Sequence, residues 1–475
     1  MPSPRLVLRT TVLGVATGAL ALSAAWAGVG LTPAPPLPTP PAVVSPLTGA
    51  TDSVVAGALP LAVNPAHLKA GQSLVGAAKQ SIAPRPKDQQ KRFPGARWET
   101  DPAECKTVDQ HEIERLTGGH ATEPLDGMAS NGTPWPENPD CIYMGGFGLG
   151  PMNPVKAFDT VDGLWVRSLA ISDGKDLIVL TVIDAEGYLW DYKSKCTDCG
   201  VKQLSQTLAA DPVLKARGMT PASFVLHASH SHSGPDFMGG WGFVPDWYMA
   251  QVADTIKATA KQAVLSMQAA TLQTGEVEAR AYNSERRDTY RAAEEQQLSW
   301  LRAVAVKGHR TIATMGAYAA HPTTRGTNDG VASPDWVGPF EKRLEQRFGG
   351  IGLHFMTGLG NMSASGGTGI GVKLADLVPA KGRAVRSTDL RLAQTTFRSP
   401  ITNAPLDALG TPGFFDRKFD LMPAAVSVGE NPNAPCVSAS PQSVELPVTV
   451  AKIGTDIVLT TAPGEVFSNL TNTLK

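Results

Sequence analysis

The chain has 475 residues, 42% of them hydrophobic and 18% charged, with a formal net charge of -1. That length supports one large domain or two ordinary ones with a real buried core. The near-neutral charge and the lack of a long basic run exclude a nucleic-acid partner held by electrostatics. The 38 prolines and 47 glycines argue against a helical bundle and for a loop-rich protein.

Residues 1–27 read as a cleaved signal peptide. Arg5 and Arg9 supply the positive start, residues 10–22 are apolar, and Ala25-Trp26-Ala27 offers small residues where a signal peptidase cuts. The apolar run is shorter than the ~20 residues of a membrane span, so a secreted or extracytoplasmic location is expected, and no later segment is long and apolar enough to cross a bilayer. Residues 28–90 follow as a Pro-rich, low-complexity tether with one weak helical pattern near 65–80. Residues 91–140 carry six prolines and few apolar runs, which predicts an irregular N-terminal extension covering the main domain. No internal repeat is visible.

Five cysteines, at 105, 141, 196, 199 and 436, suit disulfide formation in an exported chain. Cys196-Thr197-Asp198-Cys199 has the spacing of half a zinc ribbon or a redox motif, but no second pair completes a ribbon and no thioredoxin-like context surrounds it. A local disulfide in a loop is the expected state. Cys105 and Cys141 offer a second bridge, and spacing alone does not fix the pairing.

The main domain is expected over residues 141–475. Aliphatic and β-branched runs predict strands at 164–171, 177–183, 224–228, 299–306, 311–319, 352–357 and 457–461. Amphipathic spacing predicts helices at 203–215, 248–267 and 336–348. The alternation implies an α/β fold in which a layered mixed sheet is flanked by helices in a single large domain. Residues 395–445 are proline-rich and weakly periodic, so loops with a few short strands are expected there.

Chemistry-bearing residues sit directly after four of these strands. Leu226 runs into His227-Ala228-Ser229-His230-Ser231-His232-Ser233-Gly234-Pro235, and Ala320 into His321-Pro322. Met356 leads into Gly358-Leu359-Gly360-Asn361-Met362-Ser363, and Thr460 into Ala462-Pro463-Gly464-Glu465. Ligands in α/β sheets gather beyond the carboxyl ends of strands. His230 and His232, two apart, face the same way on an extended segment. Two imidazoles and a carboxylate are a common donor set for catalytic zinc. Taken singly, each motif has a plainer reading: a hydrogen-bonded loop histidine, a solvated glutamate, a loop serine.

Together these segments resemble the neutral ceramidase family. His230-Ser231-His232-Ser233-Gly234-Pro235 is similar to its His-Thr-His-Ser-Gly-Pro motif, and Ala320-His321-Pro322 to its second His-Pro motif. Leu359-Gly360-Asn361-Met362-Ser363 is similar to its Leu-Gly-Asp-Val-Ser segment, and Pro463-Gly464-Glu465 to its Pro-Gly-Glu-Phe segment. Tyr143-Met144-Gly145, the strand around Arg167-Ser168-Leu169, and Ile183-Asp184 resemble the family's opening segments. The resemblance runs from residue 141 to the end.

It implies a zinc-dependent hydrolase (Zn2+ as cofactor) that cleaves the N-acyl amide of ceramide-like lipids. His230, His321 and Glu465 are then zinc ligands, and His232 is an acid/base or substrate contact. Ser363 stands at the scissile amide, as nucleophile or oxyanion donor, and Arg286 (or Arg287) binds substrate oxygen. The partner is a lipid or small amide, with peripheral contact to a membrane surface where the lipid resides; the oligomeric state is left open. The chain departs from the family in Asn361 for Asp and Ala364 for Pro, and the family's tyrosine ligand and C-terminal sandwich domain would fall beyond Lys475. The competing expectations are a hydrolase of the same fold acting on another amide or ester, and a secreted binding protein that kept the scaffold.

Overall fold

The computed structural model describes residues 53–55, 68–105, 138, 140–147, 153–193, 195–242, 244–286, 295–401, 416–417, 420–421 and 442–474. The expected signal peptide, most of the tether and of the 91–140 extension, Arg287 and Cys436 lie outside the described residues.

Eight strands form the main path of a ten-stranded sheet, to which the short strands Ser53–Val55 and Arg383–Ala384 add at its sides: β1 Gln72–Ser81, β2 Trp165–Ser172, β3 Leu177–Ile183, β4 Phe224–Ala228, β5 Gln268–Glu278, β6 Gln297–Ala305, β7 Thr311–Tyr318 and β8 Ile351–Met356. Their order across the sheet is β8-β7-β6-β5-β1-β2-β3-β4. The pairs β3/β4 and β7/β8 are parallel, and every other neighbouring pair on this path is antiparallel. The four principal helices are α1 Val201–Ala210, α2 Asp246–Leu265, α3 Val337–Phe348 and α4 Ile370–Leu377. The chain thus uses one plan twice: three meandering strands, a helix, then a strand parallel to the third. The halves β1-β2-β3-α1-β4 and β5-β6-β7-α3-β8 meet antiparallel at β1 and β5.

Most strands of the sheet alternate between two cores. On β3, Leu177, Val179 and Ile183 pack with α1 and α2, whereas Ile178, Leu180 and Val182 face the inner core. The outer face of the second half packs through Leu298, Trp300 and Tyr318 against Trp336, Phe340 and Leu344 of the α3 region. The inner face is filled by residues of all eight strands and by a second sheet, whose strands β9 Leu390–Pro400, β10 Gln442–Ile453 and β11 Ile457–Thr460 contribute Leu390 from β9, Ala451 and Ile453 from β10, and the half-buried Ile457 and Leu459 from β11.

The expected α/β fold with a layered mixed sheet flanked by helices is what the structure shows. Strands 177–183 and 224–228 match residue for residue. Four expectations are corrected. First, residues 72–81, placed in the tether with a weak helix, form a central strand of the sheet, so the core begins well before Cys141. Small residues there give little strand signal. They are needed because α2 lies close on this strand: a Cβ on Gly76 would fall 2.1 Å from the Ala263 carbonyl oxygen. Secondly, β5, which has no aliphatic run, is a strand because β1 and β6 pair with both of its edges. Thirdly, the helix expected over 203–215 breaks at Pro212, which has no N–H to donate; Asp211 ends α1 and its carboxylate caps Val213 N and Leu214 N at 2.9 and 3.2 Å. Fourthly, β9 and β10 pair over eleven residue positions at the borders of the region expected to be loops.

Twist brings the two edges of the sheet together. At about 20–25° per neighbouring pair, the six steps from β4 to β7 accumulate about 120–150°. Strands that a flat sheet would hold antiparallel then lie closer to parallel, with their carboxyl ends adjacent. The contact is made by His227 on β4, whose Nε2 accepts the Met356 N–H of β8 at 2.9 Å and whose ring stacks on Phe355 at 5.3 Å. A buried ion triad ties the same region. Arg167 Nη1 on β2 lies 3.0 Å from Asp184 Oδ2 and 2.7 Å from Glu341 Oε2 on α3, all three being at most 2% exposed. Disulfides join Cys105 to Cys141 and Cys196 to Cys199. Among the described residues no helix is long and apolar enough to cross a membrane.

Removing one member of a buried ion cluster leaves its partners desolvated and unpaired, at a cost of about 3–5 kcal/mol. Arg167→Met is therefore expected to lower unfolding stability by about that amount in chemical denaturation, and a loss below 1 kcal/mol would contradict the triad's role. Gly76→Ala is expected to cost about 1–3 kcal/mol by overpacking, read in the same titration.

Candidate metal and hydrolytic centre

The loops after β3, β4, β7, β8 and β11 meet at one end of the sheet. The first three present Glu186, His230 with His232, and His321; the loop after β8 leads to Ser363; the loop after β11, from the smaller sheet, brings Glu465.

His230 sits in the left-handed region at φ 60°, a conformation that costs a non-glycine residue about 1–2 kcal/mol and that the surrounding hydrogen bonds impose. Ser229 N donates to Ile183 O at 2.8 Å, Gly234 N to Ser231 O at 2.9 Å, and Ser231 Oγ to Ser333 O at 2.6 Å. His230 and His232 do face the same cavity, with ring centroids 4.9 Å apart, but through this turn and not through an extended segment. His232 N also donates to Pro322 O at 3.1 Å, which links the two histidine motifs through the backbone.

Each imidazole has its Nδ1 beside a backbone carbonyl: His230 with Glu186 O at 2.8 Å, His232 with Gly146 O at 2.6 Å and His321 with Met362 O at 3.0 Å. A carbonyl only accepts, so Nδ1 of His230 and of His232 carries a hydrogen, while Nδ1 of His321 lies between the Met362 carbonyl and the Arg286 guanidinium. All three Nε2 atoms turn towards one place. His321 Nε2 lies 3.2 Å from Glu465 Oε2, His230 Nε2 lies 3.5 Å from Glu465 Oε1, and His232 Nε2 lies 3.3 Å from His230 Nε2. The donor atoms of His230, His232 and His321 fall within 4.8 Å of one another, as do those of Glu186, His230 and Glu465.

Glu465 is held in place from below. Gly360 N donates to Val466 O at 2.9 Å, and Asn361 Oδ1 accepts Ser468 N at 2.7 Å while its amide nitrogen donates to Ser468 Oγ at 2.7 Å and to Glu285. The Asn361 side chain thus clips the Glu465 turn to the Ser363 segment. Ser363 lies in the short strand Met362–Ala364, whose backbone bridges His321 on one side and pairs with Asn283–Glu285 on the other. That pairing also sets Arg286, whose N donates to Asn361 O at 2.9 Å and whose guanidinium meets the His321 ring at Nδ1. Of the residues singled out from the sequence, His230, His232, His321, Glu465 and Arg286 meet through their side chains, and Ser363 joins them through its backbone bridge to His321.

Sequence reasoning missed Glu186, 2% exposed, whose carbonyl orients His230 and whose Oε1 lies 3.8 Å from His230 Nδ1. Its Oε2 has no hydrogen-bond partner among the described residues. The available signal was its position, three residues past a fully buried, mostly aliphatic strand, as with the other site residues. Gly146 was missed too. Its φ is 92° and a Cβ there would fall 2.3 Å from the His232 ring, so only glycine lets its carbonyl approach.

Burial disfavours charge on His230, but Glu465 and then Glu186 outweigh it and raise the imidazole to about 9. Burial lifts the Glu186 carboxyl to about 8 against the pull of His230. Burial, then His230 and His321, push His232 well below the usual imidazole range, and burial also lowers His321. Glu465 is held far below the usual carboxylate range by His230 and His321, against the effect of burial. Deeper in, burial lowers His227 to about 4 and His354 to about 3. Three inward-facing imidazole nitrogens grouped with a carboxylate suit a divalent cation that would displace the His230 proton, and two imidazoles with a carboxylate suit zinc in particular.

In the ion-free protein, a histidine NMR titration is expected to find His230 protonated up to about pH 9, with His227 neutral down to about pH 4. The raised His230 value means that its pairing stabilises the fold fully below the ordinary imidazole pKa of about 6.5 and that this contribution is lost as pH rises through about 9.

No family model and no curated protein matches the sequence. Among solved structures, the chain superposes on neutral ceramidase from Pseudomonas aeruginosa with a TM-score of 0.51 at 18% identity, covering 68% of this chain and 60% of that one. It also superposes on a ceramidase complexed with C2 with a TM-score of 0.49 at 16% identity, covering 68% and 61%. The chain thus spans about 60% of the length of those proteins, and over the shared part it has the neutral ceramidase fold.

Proposed function

We propose that the chain is an exported, zinc-dependent amide hydrolase that cleaves the N-acyl bond of ceramide-like lipids at the membrane–water boundary. The observation that carries this reading is the meeting of His230, His321 and Glu465. Both imidazoles have Nδ1 tied to a carbonyl and Nε2 within 3.5 Å of the same carboxylate, though the three residues come from two sheets. Likeness of fold to neutral ceramidase supports the substrate class, and the two disulfides suit an oxidising compartment.

His230, His321 and Glu465 hold the ion in this reading, with Glu186 orienting His230 from behind. A bound zinc supplies Lewis-acid polarisation of the amide carbonyl and activation of water at neutral pH. Ser363, on the strand bridged to His321, donates to the oxygen that gains charge as the amide carbon becomes tetrahedral. Arg286 places a positive charge at the same wall and binds substrate oxygen. The products are a fatty acid and a sphingoid amine.

The purified chain is expected to carry one zinc, to hydrolyse N-acylsphingosine in preference to short acyl amides, and to lose and regain activity with chelation and zinc. Full activity after chelation would refute the proposal. His230→Ala should remove metal and activity together. Ser363→Ala should cut turnover about 10²–10³-fold, the usual cost of an oxyanion donor, with zinc retained. Because zinc displaces the His230 proton, its affinity should rise about tenfold per pH unit between pH 7 and 9, as read by chelator competition.

A further inference from the structure

We infer that His232 is itself a ligand of the ion, so that three imidazoles and one carboxylate hold it, in place of the acid/base role its motif position suggests. The inference rests on the proposed metal site and deepens it.

His232 has only one nitrogen to offer. Its Nδ1 donates to the Gly146 carbonyl at 2.6 Å, and Gly146 packs so closely that a Cβ there would fall 2.3 Å from the ring. Phe147 closes a second side, with ring centroids 5.4 Å apart. The ring is therefore wedged, with Nε2 aimed inward. That atom faces His230 Nε2 at 3.3 Å, and the other nitrogen of His230, Nδ1, is 2.8 Å from Glu186 O.

The spacing fits one coordination sphere. Donors placed about 2.0–2.1 Å from a tetrahedral zinc stand about 3.3 Å from one another. The edges here are 3.3 Å between His232 and His230, 3.2 Å between His321 and Glu465, and 3.5 Å between His230 and Glu465. The His232 and His321 rings are 5.7 Å apart, and those of His230 and His321 are 5.1 Å apart. His232 is thus placed among the ligands and not behind them. Zinc also adopts five-coordination, so four protein donors leave one position open.

The test uses the full chain, wild type and His232→Ala, stripped by chelation and titrated with Zn2+ and Co2+ against a chromophoric chelator. The expected result is one ion per wild-type chain and an affinity loss in His232→Ala beyond the roughly 10–100-fold that an outer hydrogen bond is worth, together with a changed Co2+ visible spectrum. The circular dichroism and melting of the two stripped proteins should coincide. X-ray absorption on zinc-loaded wild type, which needs no variant, should count three imidazoles. Wild-type zinc affinity and cobalt spectrum in His232→Ala, or a count of two imidazoles, would overturn the inference while leaving the proposed function standing. A wild-type chain that binds neither ion would overturn both.

Discussion

Twist accumulated across eight strands carries β4 back towards β8, and His227 makes the contact between those two edges. His227 and His354 occupy the fourth position of β4 and β8 respectively. His227 accepts the Met356 N–H, and His354, wholly buried, packs edge-on against Trp336 at 4.8 Å and Phe340 at 5.3 Å. Nothing in either half alone makes a site. The first half ends in His230 and His232, the second in His321 and Ser363, and closure of the sheet brings them within one ion's reach.

The interior beneath the site is more polar than a sheet core usually is. Arg167, Asp184 and Glu341 form a buried triad, and the backbone N–H of His354 donates to Glu341 Oε1 at 3.0 Å. Such clusters are costly to desolvate and contribute little net stability against apolar replacements. They do fix geometry. Asp184 also accepts Trp165 N at 2.8 Å, so the end of β3, two residues before Glu186, is pinned to β2 and α3 together. Rigidity at that point is transmitted to His230 through the Glu186 carbonyl. The opposite side is fixed by Asn361, the residue that stands where the resembling family has Asp. Its amide serves as acceptor to Ser468 N and donor to Ser468 Oγ and Glu285 at once, which a carboxylate could not do.

Fully buried aliphatic strands and the long amphipathic helix were legible because their pattern is local. β3, β4 and α2 declare themselves within their own residues. β1 and β5 do not: Gly76, Ala77 and Ala78 are small because α2 presses on them, and β5 is polar because one of its faces is largely exposed. The repeated plan of the two halves is likewise a property of connection and pairing, with no matching repeat in the sequence. Among site residues, the two histidine motifs, Ser363 and Glu465 stood out through strand ends followed by turn residues. Glu186 and Gly146 did not, because one acts mainly through its carbonyl and the other through the absence of a side chain.

The sequence by itself determined the layered α/β class, the strands that end at the site, and the residue types able to hold a metal, since hydrophobic period and donor chemistry are written residue by residue. Only the tertiary structure decided that two sheets deliver those donors to one point, that each Nδ1 is occupied by a carbonyl, and that His232 faces His230 at 3.3 Å. Those facts depend on twist summed over many strands and on backbone atoms that every residue shares, and neither leaves a mark on the identity of any single amino acid.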